Sequence, residues 1–164
     1  MTLAKFVRQT LRRQLARFCE AGPAAVKRGQ GDELHALRVS AKRLRYNLEF
    51  FRCLLIDDAK NAIGLLANLQ ERLGSISDED TFALVYARLL QSLDEHDPRR
   101  TGLLARIEAN RQDRRRELDA LRELWSGGAD KAYPKRLRSA ISEALSSLSK
   151  ARSPESLSRT STAT

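Results

Sequence analysis

Apolar residues recur along the chain at spacings of three and four, and no stretch alternates at two, so helices are expected and strands are not. Phe6, Val7, Leu11, Leu15 and Phe18 share one stripe, which predicts a first helix over 2–21 ended by Gly22-Pro23. "GPAAVKRGQGD" then reads as a loop, and Asp32 as the cap of a second helix over 33–55. Asp57 or Asp58 starts a third helix through Ala59, Ile63, Leu66, Leu69 and Leu73, with Gly74 as its stop. "SISDED" offers a new start, with Ser77 and Asp80 at capping-box spacing. The fourth helix that follows carries Phe82, Val85, Tyr86, Leu89, Leu90 and Leu93. Pro98 opens a fifth that runs to about Trp125, where Gly127-Gly128 breaks the pattern. Residues 135–148 predict a short further helix, and the Ser/Thr-rich residues after it lack core formers. The fold expected is all-α, an antiparallel helical bundle of four to five main helices with a short C-terminal helix and a disordered tail. Its divisions are a bundle at 1–126, a linker plus short helix at 127–149, and a tail at 150–164.

A chain of 164 residues is long enough for one domain with a sizeable core. Charge changes the picture more than length does. Thirty Lys and Arg against twenty-one Asp and Glu leave a net charge of +9 and a pI near 10.1, which attracts polyanions such as nucleic acid, anionic membrane or phosphate-rich ligands. Cys19 and Cys53 sit inside helical patterns without metal-ligand spacing and read as reduced, packed side chains of a cytosolic protein. "MTLAKFVRQTLRRQLARF" lacks the apolar run of a secretory signal; it is Arg-rich and amphipathic as a transit segment is, but its helix reads as part of the fold. No run approaches the roughly 18 apolar residues of a membrane span.

The second helix raises the functional question. Leu34, Leu37, Ala41, Leu44, Leu48, Phe51 and Leu55 form its apolar stripe. His35, Arg38, Lys42, Arg45 and Arg52 repeat the same alternation one position later, so they lie about 100° from the seam, on its shoulder. Glu49 falls in that row beside Arg45 and Arg52. A third side carries Val39, Tyr46, Phe50 and Cys53, a second apolar strip where a bundle helix ordinarily shows water a polar face. It calls for a further packing partner: the first helix, the 128–148 segment, the tail or another copy of the chain. The fifth helix mixes its pattern similarly, with Arg111 and Arg114 in the middle of a stripe made by Leu104, Ile107, Leu118, Leu121 and Trp125. Those arginines must meet solvent, carboxylates or an anionic ligand, and "RQDRRRELD" holds its own acids in Asp113, Glu117 and Asp119.

Arg supplies a fixed fork of donors, Lys a mobile charge, and His a donor whose charge switches near neutrality. At 1.5 Å of rise per residue the row from His35 to Arg45 is about 15 Å long, suited to regularly spaced negative charges. "LHALRVSAKRLRYNLEFF" resembles the signature of the CHAD (conserved histidine α-helical domain) family, roughly H-x-x-R-V-x-x-K/R-R-L-R. His35, Arg38, Val39, Lys42, Arg43, Leu44 and Arg45 occupy it. "LANLQERLGSISD" is similar to the family's second landmark through Leu66, Leu69, Gln70, Leu73, Gly74 and Asp78, with Ser77 where Arg or Asn often precedes the Asp. Arg114 and Arg115 before Trp125 are reminiscent of its closing arginine run.

The resemblance implies a helical, non-catalytic module that binds inorganic polyphosphate through a basic surface. The family's full domain pairs two such bundles around a basic channel, whereas this chain carries one motif, so a homodimer is expected to supply the second half across Val39, Tyr46 and Phe50. The site expected comprises His35, Arg38, Lys42, Arg43 and Arg45, with Arg52, Arg111, Arg114 and Arg115 added from the face analysis. No cofactor or metal is expected; His96 in "DEHD" reads as a solvated helix end. The location expected is cytoplasmic, with polyphosphate granules. A nucleic-acid-binding helical protein is the second reading, disfavoured by the few aromatic stacking partners near the row. A phosphate-sensing adaptor for another protein is the third. An enzyme is not expected, since no P-loop, metal cluster or Ser/His/Asp set occurs.

Overall fold

A computed structural model describes residues 2–55, 59–127 and 132–150 of the chain. Among them run α1 (Leu3–Arg28), α2 (Gly31–Phe50), α3 (Lys60–Ser92), α4 (Arg99–Ser126) and α5 (Tyr133–Lys150), with a 3-10 turn at Arg52–Leu54 after α2. The all-α bundle is therefore as the pattern predicts. α1 and α2 form one antiparallel pair, pinned near opposite ends by Arg28 to Glu33 and Asn47 to Gln14, each at 3.0 Å. α3 and α4 form a second pair, α2 packs on α3, and α4 returns to α1, while α5 lies over α1, α3 and α4.

Helix boundaries differ from expectation in three helices. α2 starts at Gly31 with Gln30 at its cap and Asp32 inside its first turn, not capping it, and ends at Phe50 instead of 55. α1 continues through Gly22-Pro23 to Arg28. Gly22 is a seat for an indole: a Cβ there would lie 2.2 Å from the Trp125 ring. Pro23 forfeits one backbone bond, and burial of Ala25 and Val26 in the following turn favours helix all the same. The true stop is Gly29, at φ 66°, whose N–H donates to the Ala25 carbonyl at 2.8 Å. Any side chain there would strike Leu118, 2.5 Å away.

The third and fourth helices expected from sequence are one, α3, of 33 residues. Gly74 stays helical, since an internal glycine costs only about 1 kcal/mol and Leu73 and Ile76 on either side of it are buried. Asp80 caps nothing; its carboxylate meets Arg114 of α4 at 2.5 Å.

The core takes Val7, Leu11 and Phe18 from α1 and the whole predicted α2 stripe from Leu34 to Leu55. α3 adds Leu66, Leu69 and Leu73, and α4 adds Leu118, Leu121 and Trp125. The short helix expected at 135–148 is a full core element, burying Leu137, Ile141, Ala144, Leu145 and Leu148. Tyr133 at its start stacks on Trp125, with Phe18 beside both, and its hydroxyl donates to the Leu65 carbonyl at 3.0 Å. Both cysteines are free, Cys19 buried and Cys53 exposed. Burial pushes the Cys19 thiol above its ordinary range, with Arg138 acting the other way.

No residue described between Ile76 and Asn110 is buried. α1 and α2 turn back at Gly29–Gly31, where Gly31 stands against Asp80, so α3 and α4 run on alone. From Asp80 to Ser92 that is about 18 Å of helix. Phe82, Val85 and Leu89, apolar residues of the fourth helix expected from sequence, are exposed there together with Leu84 and Leu104. Arg100 closes the tip by donating to the Leu90 and Leu93 carbonyls at 3.0 Å. Asp97 accepts from the Arg99 N–H and guanidinium, which hold its carboxyl down at about 2. The expected tail, 150–164, lies outside the described residues apart from Lys150.

Candidate functional site

Two shoulders flank the buried stripe of α2. Glu33, Ser40 and Asn47 recur every seven residues on one, which faces α1 through the Glu33–Arg28 and Asn47–Gln14 bonds. Arg38, Lys42 and Arg45 therefore occupy the other, which borders α3. α3 can be read the same way. Leu65 and Glu79 lie towards α5 and α4, through the bonds from Tyr133 and Asn110. The opposite shoulder, Ile63, Ala67, Gln70, Gly74 and Ser77, borders α2. The basic row and the Gln-Gly motif thus line the two sides of one α2–α3 groove. Sequence reasoning singled out both motifs without pairing them; their shared three-four spacing was the available signal.

His35 is exposed at the head of the row, and Arg38, Lys42 and Arg45 are half-buried on its wall. Among the described residues none engages His35, Arg38 or Lys42 by a hydrogen bond or ion pair. Arg45 lies with its guanidinium 5.2 Å above the Tyr46 ring centre and its Nε 3.3 Å from a Glu49 oxygen. That approach is an ion pair with poor hydrogen-bond direction, and the buried Nε stays without a hydrogen-bond acceptor. Gln70 Nε2 across the groove is likewise buried and unsatisfied. A buried donor left unpaired costs about 1–3 kcal/mol, so two of them on one groove mark a place that an acceptor-rich ligand would complete.

The remaining expected residues are placed elsewhere. Arg43 is exposed on the outer side of α2, alongside Val39, Tyr46 and Phe50. Arg52 sits on the 3-10 turn, because the helical register that would align it with the row stops at Phe50. Arg114 is a clamp: it meets Asp80 and donates to the Gly29 carbonyl at 2.9 Å, tying α4 to α3 and the α1–α2 turn. Arg111 pairs at 3.7 Å with Glu108, and Arg115 is exposed. α4 packs on α3 and α1, so these three stand across the bundle from the groove. Tyr46 and Phe50 are 51% and 76% exposed, so neither α1 nor α5 covers the outer strip.

Among the described residues no three His, Cys, Asp or Glu gather as metal ligands, and His96 is exposed. No described helix is long and apolar enough to cross a membrane. Comparison with curated proteins and with solved structures gives no match. The family model of the CHAD domain matches residues 1–87, which hold α1, α2, both walls of the groove and most of α3. With more than half of its length so matched, and with the two motifs facing each other across one groove, the chain belongs to the CHAD domain family.

Proposed function

We propose that the chain captures inorganic polyphosphate along the α2–α3 groove, by electrostatic attraction and hydrogen bonding, with no bond made or broken. The observation that carries this reading is the set of donors without acceptors: Arg38 and Lys42 with no partner among the described residues, and Arg45 Nε and Gln70 Nε2 buried and unsatisfied there. A chain of phosphates supplies acceptor oxygens at each of these points and carries no donor that would need an acceptor in return. His35 extends the track at its head, and Arg43, Arg52, Arg111, Arg115 and the clamped Arg114 contribute to the wider positive field that draws the polymer in. The module works where polyphosphate accumulates, in the cytoplasm and at its granules. A second copy of the chain covers Val39, Tyr46 and Phe50 and brings a second groove to the same ligand.

Replacing Arg38, Lys42 and Arg45 together by Ala tests the site. Charge-assisted hydrogen bonds contribute about 1.5–3 kcal/mol each, so long-chain polyphosphate should bind the triple variant at least ~100-fold more weakly. Circular dichroism should be unchanged, since none of the three side chains lies in the apolar core and Ala favours helix. The dependence of log K on log salt should flatten as well, because fewer counterions are released. Equal affinity at physiological salt would defeat the assignment. Duplex DNA displacing polyphosphate at matched phosphate concentration would transfer the groove to the nucleic-acid reading.

A further inference from the structure

A cleft at the other side of the bundle has no part in the groove. It lies between the first three turns of α1 and the end of α5, has a volume of about 740 Å³, and is lined by Thr2, Lys5, Arg8, Gln9, Arg12 and Leu148, together with Ala4. Lys5, Arg8 and Arg12 follow one another at three and four residues, so all three cations project from one face of α1 into it. Among the described residues that line the cleft there is no carboxylate. Arg8 is already positioned, its guanidinium 3.5 Å from the Leu145 carbonyl near the end of α5. The positive end of the α1 dipole adds to the cations.

We propose that this cleft is a second anion site, for a compact ligand carrying two or three linked phosphates, either free oligophosphate or the phosphate end of a nucleotide. Size separates it from the groove. Lys5 to Arg12 spans about 10 Å of helix axis, enough for a short phosphate chain and too little to track a polymer. The volume falls in the range of small-molecule sites, roughly 300–1,000 Å³. Leu148 and Ala4 give an apolar wall for an organic group, while Gln9 and Thr2 fix orientation by hydrogen bonds. The cations sit on α1 and the lining reaches α5, so the site is independent of Arg38, Lys42 and Arg45, and it stands or falls apart from the reading of the groove.

Lys5→Ala/Arg12→Ala in the full chain is the informative variant, because both side chains are exposed and Arg8 keeps its hold on α5. Titration calorimetry with inorganic tripolyphosphate and with ATP should show binding that this variant weakens at least tenfold. Both titrations are made in the Arg38→Ala/Lys42→Ala/Arg45→Ala background, where the groove no longer holds tripolyphosphate, and Lys5→Ala/Arg12→Ala is added to that background. ATP tighter than tripolyphosphate assigns the apolar wall to a base; equal or weaker binding of ATP assigns the cleft to free oligophosphate. Binding of neither ligand in that background, or binding there that Lys5→Ala/Arg12→Ala leaves unchanged, overturns the proposal. Citrate competing as well as tripolyphosphate overturns the phosphate assignment.

Discussion

Tyr133 is the largest side chain with no exposure, and its hydroxyl makes one hydrogen bond, to the Leu65 carbonyl. Burial pushes its phenol well above the ordinary range, because a phenolate in that setting would be desolvated. The folded state therefore holds the proton more tightly than the unfolded chain, whose tyrosines titrate near 10. The stabilisation is complete below about pH 10 and is lost as pH rises above it towards the folded-state value. Tyr133→Phe should cost about 1 kcal/mol at neutral pH through the missing hydrogen bond and should flatten the fall of stability at alkaline pH. Urea denaturation between neutral pH and pH 11 checks both; parallel alkaline slopes for the two proteins would assign the titration to another group. Nothing around Tyr133 announced this role, since the residue stands before a proline in what reads as a linker. Gly22 misled for a related reason. A glycine that ends a helix and a glycine that admits an indole are the same letter, and only the position of Trp125, a hundred residues away, distinguishes them.

At the scale of the element, α3 is where local signals and packing disagree most. Gly74 followed by "SISDED" carries the marks of a stop and a start, yet buried Leu73 and Ile76 hold one continuous helix. Periodicity gave the direction of each face correctly and could not say which apolar face finds a partner. Leu66, Leu69 and Leu73 meet α2, while Phe82, Val85 and Leu89 have run past its end. Two glycines in α3 have open space where a Cβ would go, Gly64 and Gly74. Each should therefore gain stability on replacement by Ala, by about 0.4–1 kcal/mol, as the unfolded chain loses freedom. Their functional effects should differ. Gly74 lies on the groove shoulder with Gln70, so Gly74→Ala places a methyl where phosphate would approach and should weaken polyphosphate binding. Gly64 lies on the exposed side, and Gly64→Ala should leave binding alone. Thermal denaturation gives the first effect, and polyphosphate titration of the two variants gives the second. Equal binding by both would show that the shoulder of α3 takes no part in the site.

For the molecule as a whole, the sequence made the bundle and the basic row legible, because both depend on spacing within one helix. The groove was less so, since it arises only when α2 and α3 are set side by side and Gln70 loses its water. The outer strip of α2 is legible in the sequence as an apolar surplus, and the fold leaves it exposed alongside the bare α3–α4 hairpin. These two surfaces make different predictions about assembly. If a second copy covers α2, Phe50→Glu should convert a dimer to a monomer, because it buries a carboxylate in an apolar contact without a partner. Its effect on the fold should stay within about 0.5 kcal/mol, as for other surface positions, given 76% exposure. Leu89→Glu, on the hairpin, should leave the dimer intact. Light scattering at micromolar concentration, with and without polyphosphate, reads the mass directly. Dissociation by Leu89→Glu alone would move the interface to the hairpin, and a monomeric parent chain under both conditions would remove the second copy. The location matters for binding, because the basic row lies between the α2 seam and the outer strip. A copy docked on that strip would wall the row on its open side, whereas one docked on the hairpin would leave the row open. In the first arrangement the Phe50→Glu monomer should hold polyphosphate more weakly and with a faster off-rate than the parent.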